Sequence, residues 1–448
     1  MKIMNVAIVG TGYVGLPTGV GLAELGHQVI CIDRELSKIK ALQEGKVTLY
    51  EEGLEDLLKK NYQKGTIRFT DSMQEGVSQA DIVILAVGTP PHPVTHEADM
   101  RYLYAAATEF SPYLNGYTVI ANKSTVPVGT ADMVQGLIEK SNKNADFDVV
   151  SLPEFLREGY AVYDFFNPDR IIVGADTQRA KDVISELYAP LLEKSPKTKV
   201  LCVNTRSSET IKYASNSFLA TKIHFINEMA DFCEKTGADI YEVAAGMGLD
   251  KRIGAAFLNP GPGFGGSCFP KDTMAMDFMA RQNGLNMTII QATINGNNQR
   301  INAMAERIFN HLPKAETNRV VGILGLAFKE GTDDCRTSPA IQIISQLLEQ
   351  DFNLTLRVYD PQAMENSKEL FGENLSRITF TKCKEEACDG ADVLAILTEW
   401  PEFRDLDLKQ AYERMRHHCI VDCRNMLNPA QARELGFRYS GVGTSTTK

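Results

Sequence analysis

The sequence predicts an α/β protein in which two doubly wound domains are joined by a central, all-helical region with one long helix. Three observations carry this. Over the first 200 residues, short apolar strand patterns alternate with helical stretches, the rhythm of a parallel sheet with helices on both faces. From about 206 to 310 the strand patterns stop. After 317 the alternation returns. The implied division is 1–205, 206–311 and 312–448, with "LPKAETN" (312–318) as the second boundary.

In chain order, the first strands are read from "IMNVAIVG" (3–10), "QVICID" (28–33), "DIVILAV" (81–87), "YTVIAN" (117–122), "FDVVS" (147–151) and "RIIVG" (170–174). The stretch 208–237 predicts one long helix that opens at Ser208 and closes at Gly237, a residue type that ends helices readily. Further helices are expected at 239–247, 271–283 and 287–311. "RVVGILGLAFK" then gives a strand and turn, "SPAIQIISQLLEQ" a helix, and "LTLRVYD", "DVLAILT" and "CIVDC" further strands. The openings "VAIVGTGYVG" and "VVGILGLAFK" are alike, as distant copies of one domain would be. The tail "GTSTTK" is expected to fray.

Composition narrows the function. With 448 residues, 44% apolar and 23% charged, the chain can build large cores. A net charge of −10 speaks against nucleic-acid binding. Any phosphate site must then be assembled locally, from backbone N–H groups and a few cations. Nine cysteines do not make a disulfide framework, and the first residues run straight into a strand rather than a leader. No apolar run approaches the length of about 18 residues needed to span a bilayer. A cytoplasmic protein with no membrane partner is the expectation, and its thiols would stay reduced.

Gly10, Gly12 and Gly15, with Thr11, Tyr13 and Val14 between them, form G-T-G-Y-V-G between a strand and a helix. In a dinucleotide site the first glycine makes the tight turn, the second lets backbone approach a pyrophosphate, and the third packs helix on sheet. The helix N-terminus offers N–H groups and partial positive charge to the phosphates. The next strand ends in Asp33, near the spacing expected for a carboxylate on the ribose. It would accept from both ribose hydroxyls and repel a 2′-phosphate, favouring NAD over NADP, with the neighbouring Arg34 as the contrary signal. The other reading is a glycine turn without a ligand.

Cys268 sits in "GPGFGGSCFPKD" (261–272). Glycines let a substrate come close to sulfur, and Lys271 would favour the thiolate; an inert buried thiol is the alternative. On the long helix, Lys212, Asn216, Leu219, Ile223, Ile226, Ala230 and Cys233 share one face. A lysine and an amide thus open a stripe meant for the core. Either they serve a site, or the lysine snorkels out from the helix end. "LPEFLREG" (152–159) follows a strand end, where α/β sites are built. If helical, it puts Glu154 and Glu158 on one face; the alternative is a solvated charge cluster. His92 and His96 flank prolines, and His417 and His418 stand near Cys419 and Cys423. With Cys383 and Cys388 a zinc cluster is conceivable, but the short paired spacing is missing and no metal is expected.

Seven blocks in order, "GTGYVGLPTG", "STVPVGT", "PEFLREG", "KYASNSFLATKIHFINE", "GFGGSCFPKD", "LAFKEGTDDCR" and "TEWPEF", resemble the UDP-glucose/GDP-mannose dehydrogenase family from residue 3 to about 425. The resemblance implies two Rossmann-like domains and a four-electron oxidation of a nucleotide sugar by two NAD. Phe269 after the cysteine points to the branch acting on UDP-glucose, with UDP-glucuronate as product. A UDP-N-acetylhexosamine or GDP-mannose substrate remains open. The aldehyde formed first is planar and electron-poor, so sulfur addition is needed before a second hydride can leave.

The resemblance also implies roles. Cys268 would be the nucleophile. Lys212 and Asn216 would stabilise oxyanions, Asp272 and Thr125 would hold a water, Glu158 would assist thioester hydrolysis and Glu154 would position substrate or water. NAD would meet the glycine turn through Tyr13 and Val14, and further Asp33, Lys38, Thr89, Thr125, Glu158, Lys271 and Arg336. Substrate would lie along Glu154, Phe155, Leu156, Arg157 and Glu158, and against Phe257, Leu258, Gly261, Phe264 and Gly265, with Lys329 reaching in. A homodimer through the long helix is implied, with Arg252 reaching the neighbour's site. The sequence departs from the family pattern at Leu152, where Asn is usual, at Glu52 for Pro and at Cys423 for Gly.

A two-electron hydroxy-acid-type dehydrogenase would explain the fingerprint and the polar start of the helix stripe. It leaves Cys268 and the second α/β domain without a purpose. A non-catalytic nucleotide sensor leaves the intact Cys268, Lys212, Asn216 and Asp272 unexplained.

Overall fold

The computed structural model describes residues 2–93, 95 and 97–444. His96 and the last four residues of the expected frayed tail lie outside the described residues. The chain packs as two compact units, Met1–Ser215 and Asn216–Lys448.

The first unit is built on β1 (Asn5–Val9), β2 (Gln28–Ile32), β3 (Ile67–Thr70), β4 (Ile82–Leu85), β5 (Tyr117–Asn122), β6 (Asp146–Ser151), β7 (Arg170–Gly174) and β8 (Lys199–Val203). They lie in the order β3-β2-β1-β4-β5-β6-β7-β8. Alternation along β1 shows why both faces are covered. Val6 and Ile8 join a core with Leu16, Val20 and Leu58, while Ala7 and Val9 join another with Leu103, Phe110 and Val134. The sheet is not parallel throughout: β6 meets β7 antiparallel, Ser151 against Gly174. A Cβ on Gly174 would stand 2.4 Å from that of Ser208, so only glycine lets the start of the long helix come this close.

The second unit carries β9 (Val320–Leu324), β10 (Thr355–Tyr359), β11 (Ile378–Phe380), β12 (Val393–Ile396), β13 (Cys419–Asp422) and β14 (Arg438–Ser440), ordered β11-β10-β9-β12-β13-β14. This repeats the order of the first six strands, and the likeness reaches the turn. Gly10 and Gly325 have φ of 101° and 100°, and their N–H groups donate to Ile32 and Tyr359 respectively. Asp360, the counterpart of Asp33, is fully buried and accepts from Leu326, Ala327 and the Trp400 indole. In both units the acid at the strand end braces the glycine turn, since Asp33 accepts from Thr11 N–H as Asp360 does from Leu326 and Ala327.

The long helix runs Thr205–Thr236 and is followed by Gly237 at φ 81°. It begins three residues before the expected Ser208. The helices Ile240–Gly248, Phe269–Gln282 and Thr288–Asn310 follow. Ile226, Ala230, Cys233, Ile301 and Met304 share one apolar core with β9 and β12. The expected fraying does not begin at Gly443. Its N–H donates to Glu234 and its C=O accepts from Ile240 N–H.

Candidate active site

The glycine turn has the shape a dinucleotide requires. A Cβ on Gly10 would fall 2.6 Å from the Ala86 carbonyl oxygen, and one on Gly15 would fall 1.9 Å from that of Gly10. A Cβ on Gly12 would meet nothing within 4 Å, so that face is left open. The helix Gly15–Glu24 has no side-chain N-cap, so no side-chain acceptor competes with a phosphate for its positive end. The residues present therefore fit a dinucleotide. Asp33 accepts from Thr11 N–H (2.9 Å) and Thr11 Oγ1 (2.5 Å), with Lys38 Nζ at 3.5 Å. Burial pushes its carboxyl up. The Thr11 hydroxyl, the Glu35 and Thr11 N–H groups and the Lys38 charge outweigh this and bring it below the usual range. The Arg34 guanidinium pairs with Glu109, so the contrary signal for a 2′-phosphate is engaged elsewhere. Thr89 Oγ1 donates to the Thr125 carbonyl at 2.9 Å, which brings those two expected cofactor residues together.

Lys212 does not snorkel. Its Nζ donates to Glu154 Oε1 at 2.8 Å and to the Glu154 carbonyl at 2.7 Å, with 4% and 6% of the two residues exposed. Burial alone would raise the Glu154 carboxyl, but the Lys212 charge and hydrogen bond and the Leu156 N–H lower it overall, with help from Lys123. The segment 152–158 is not helical, which corrects the conditional reading of Glu154 and Glu158 as one helix face. Glu154 is buried and Glu158 half-buried. Two buried carboxylates that the sequence reading passed over hold the neighbouring loops. Glu51 accepts from Gly159 and Ala161 N–H. Glu209 accepts from Gly129 and Ala131 N–H, and burial raises its carboxyl to about 7. Phe155 lies beneath the Arg170 guanidinium and near Lys212 Nζ. Arg157 is paired with Asp164. Leu152 is 1% exposed inside the apolar core, a position where the family's amide would need a polar partner.

In the second unit Cys268 occupies the N-cap position of the helix Phe269–Gln282, where the free N–H groups favour negative charge on sulfur. Six of the nine cysteines are buried, Cys202 is exposed, and Cys268 and Cys383 are half-exposed. Burial pushes Cys388 up to about 12 and Cys423 to about 11. Asp272, one turn into the helix, is fully buried and accepts from Asn216 Nδ2 at 2.6 Å, with Lys271 Nζ at 2.8 Å. Ser267 Oγ lies 3.6 Å from Cys268 Sγ. The Phe257 and Phe264 rings stand edge-on to Phe269, with centroids 6.0 and 6.3 Å away. Leu258 is buried.

A Cβ on Gly261 would come within 2.9 Å of Arg424, and one on Gly265 within 2.4 Å of the Thr337 carbonyl oxygen. Lys329 Nζ lies over the Phe328 ring, and that ring packs on Gly266. Arg336 is paired with Asp334, and Arg252 with Asp250 at the surface. Asn227, Asn297, Arg300 and Arg424 went unread in the sequence. Asn297 lies on a buried stripe with Thr293, Ile301, Met304 and Ile308, a polar residue on a buried face, the same signal that singled out Lys212. Among the described residues one group, Glu316, Asp392 and His417, brings metal-ligating atoms together. It contains no cysteine, and Arg416 already pairs with both acids. No helix of the described residues is long and apolar enough to cross a membrane.

Three profiles described as the UDP-glucose/GDP-mannose dehydrogenase family match: the NAD binding domain over residues 4–192, the central domain over 206–299 and the UDP binding domain over 322–429. The chain is 44% identical over 444 residues to a UDP-glucose 6-dehydrogenase of Rhizobium meliloti, covering 98% of this chain and 99% of that protein. It is 41% identical over 440 residues to one of Bacillus subtilis, covering 98% and 93%. Among solved structures, a UDP-glucose dehydrogenase from the hyperthermophilic archaeon Pyrobaculum islandicum superposes with a TM-score of 0.90 at 36% identity, covering 99% of this chain and 98% of that one.

Proposed function

The chain belongs to the UDP-glucose/GDP-mannose dehydrogenase family, and on that premise we propose that it oxidises UDP-glucose to UDP-glucuronate with two NAD+ through a covalent bond to Cys268. The observation that carries this is Cys268 at a helix N-terminus in its glycine loop, beside buried Asp272 and its partner Asn216. Bound NAD+ supplies a hydride acceptor for each of the two oxidations. Cys268 adds to the C6 aldehyde to give a thiohemiacetal, whose tetrahedral carbon can lose hydride and become a thioester. Water then releases the carboxylate and returns the thiol. Lys212 and Asn216, one helical turn apart, stabilise the oxyanions. Asp272 and Thr125 hold the water, Glu158 assists its attack, and Glu154 sets the position of Lys212.

In this reading, residues 1–205 hold the cofactor, 206–311 the helical region and 312–448 the UDP-sugar domain, following the three matched spans. Asp33, with Lys38 beside it, receives the adenosine ribose and selects NAD. Tyr13, Val14, Thr89, Lys271 and Arg336 complete the cofactor contacts. Phe155, Leu156, Arg157, Phe257, Leu258, Gly261, Phe264, Gly265 and Lys329 bound the substrate. The free thiols suit a reducing, cytoplasmic compartment.

The test is product stoichiometry across a panel of nucleotide sugars, with NAD+ and NADP+ compared. Two NADH and one uronate per UDP-glucose are expected, with NADP+ poor. One NADH per sugar would support a two-electron dehydrogenase. Faster turnover of a UDP-N-acetylhexosamine or GDP-mannose would reassign the substrate.

The dimer is part of the same proposal. Phe218, Phe225 and Phe232 recur every seven residues on the long helix and are 66%, 42% and 62% exposed. A row of exposed aromatics on one face is costly in water and is covered by self-association. Light scattering is expected to give twice the 49.6 kDa chain mass, falling to the single-chain mass in Phe225→Glu/Phe232→Glu. A wild-type monomer would end the dimer reading.

A further inference from the structure

The loop Gly261–Gly266, just before Cys268, has no regular secondary structure, so its backbone groups must find partners elsewhere. Side chains from three separate elements supply them. Gly261 N–H donates to Asn227 Oδ1 at 2.8 Å, and its C=O accepts from Arg300 Nε at 2.9 Å. Phe264 N–H donates to Asn297 Oδ1 at 2.8 Å, and its C=O accepts from Asn297 Nδ2 at 3.0 Å. Gly266 C=O accepts from Thr337 Oγ1 at 2.7 Å.

Asn297 differs from the others because one amide takes both polar groups of a single residue, as a neighbouring strand would. It is 6% exposed, so water is a poor substitute. A Cβ on Gly263 would lie 2.9 Å from Asn297 Oδ1, and Gly263 has φ of 127°. The loop is therefore shaped to receive this amide. A cavity of about 370 Å3, lined by Phe264, Pro270, Asn297 and Thr337 among others, opens on the same side. Packing leaves the loop room to shift there, and the paired hydrogen bonds hold it.

We infer that Asn297 is a positioning residue for the covalent step: its amide fixes Phe264 and thereby the loop that presents Cys268 to the sugar. This rests on the reading of Cys268 as the nucleophile. Asn297→Asp keeps the acceptor for Phe264 N–H but sets an oxygen against the Phe264 carbonyl. Asn297→Ser shortens the side chain without burying a charge, and carries the test should the aspartate variant fail to fold.

Steady-state kinetics are read together with the mass-spectrometric rate of iodoacetamide labelling at Cys268, with exposed Cys202 as internal control. The expected result is a fall in kcat of about 10²-fold, the scale of a misplacement near 1 Å. The Cys268 labelling rate should change while Cys202 labelling does not. Folded variants with wild-type kcat, KM and Cys268 labelling would overturn the inference. So would labelling of buried Cys31 or Cys335, which would show general loosening. Activity surviving in Cys268→Ala would instead defeat the reading on which the inference rests, so the two failures are distinguishable.

Discussion

Cys268→Ala is expected to lower UDP-glucuronate formation by about 10³-fold or more, the scale seen when a covalent nucleophile is removed, and to yield at most one NADH per UDP-glucose. The second oxidation imposes this. Hydride leaves readily from a tetrahedral carbon whose oxygen can push electrons in, and an aldehyde carbon is planar. Sulfur addition supplies the tetrahedral carbon and keeps the intermediate attached between the two oxidations. Alanine removes the attachment while leaving the helix Phe269–Gln282 and its buried Asp272 unchanged in sequence, so folding should persist. The check is product analysis by mass spectrometry beside the NADH count. Uronate formed at the wild-type rate in the alanine variant would refute covalent catalysis at this residue.

Why Cys268 could be singled out from sequence, and its loop clamp could not, has a physical explanation. A thiol among glycines and a Rossmann-type glycine turn are local patterns, and local patterns survive in sequence order. The strands β1, β2, β4, β5, β6 and β7 were legible for the same reason, because each is a compact apolar run. β3 is no compact apolar run, since Arg68 interrupts its four residues, and β11 and β14, with three each, are too short to show a period. β8 was lost differently: four of its five residues, Val200 and Leu201 among them, are exposed, so its apolar run sets no inside-outside alternation. The antiparallel junction of β6 and β7 depends on where the chain returns, which no local window holds.

The site shows the same division. Lys212 stood out because a cation on a buried stripe demands a partner, yet spacing could not tell Glu154 from solvent. Glu51, Glu209 and Asn297 act by taking backbone N–H groups distant in sequence. A side chain of that kind looks like any surface polar residue until the chain is folded. Asn297 was the most nearly readable of the three, since it lies on a buried helix stripe.

Lys212→Ala is expected to cost about 3–5 kcal/mol of stability, because removing one member of a buried ion pair leaves the other charge uncompensated. Glu154 is 6% exposed, and Lys212 donates to both its carboxylate and its carbonyl. The pH dependence should change sign. In the wild type the Glu154 carboxyl lies below its ordinary value. The pair's contribution is therefore present above the ordinary carboxylate range and lost as pH falls through the folded value. Without Lys212, burial dominates and raises the carboxyl. The variant then loses stability as pH climbs above that range, and its deficit is largest near neutrality. Urea titrations from pH 4 to 8 measure this directly; a deficit independent of pH would show that the ion pair is not its source. Turnover should fall separately, by about 10²–10³-fold, the usual effect of losing one oxyanion donor. The double variant Lys212→Met/Glu154→Leu divides the two effects. Apolar side chains of similar size can replace a buried pair at little cost in stability, but they cannot stabilise an oxyanion. Recovered stability without recovered turnover would assign Lys212 to catalysis; recovery of both would leave it a purely structural role.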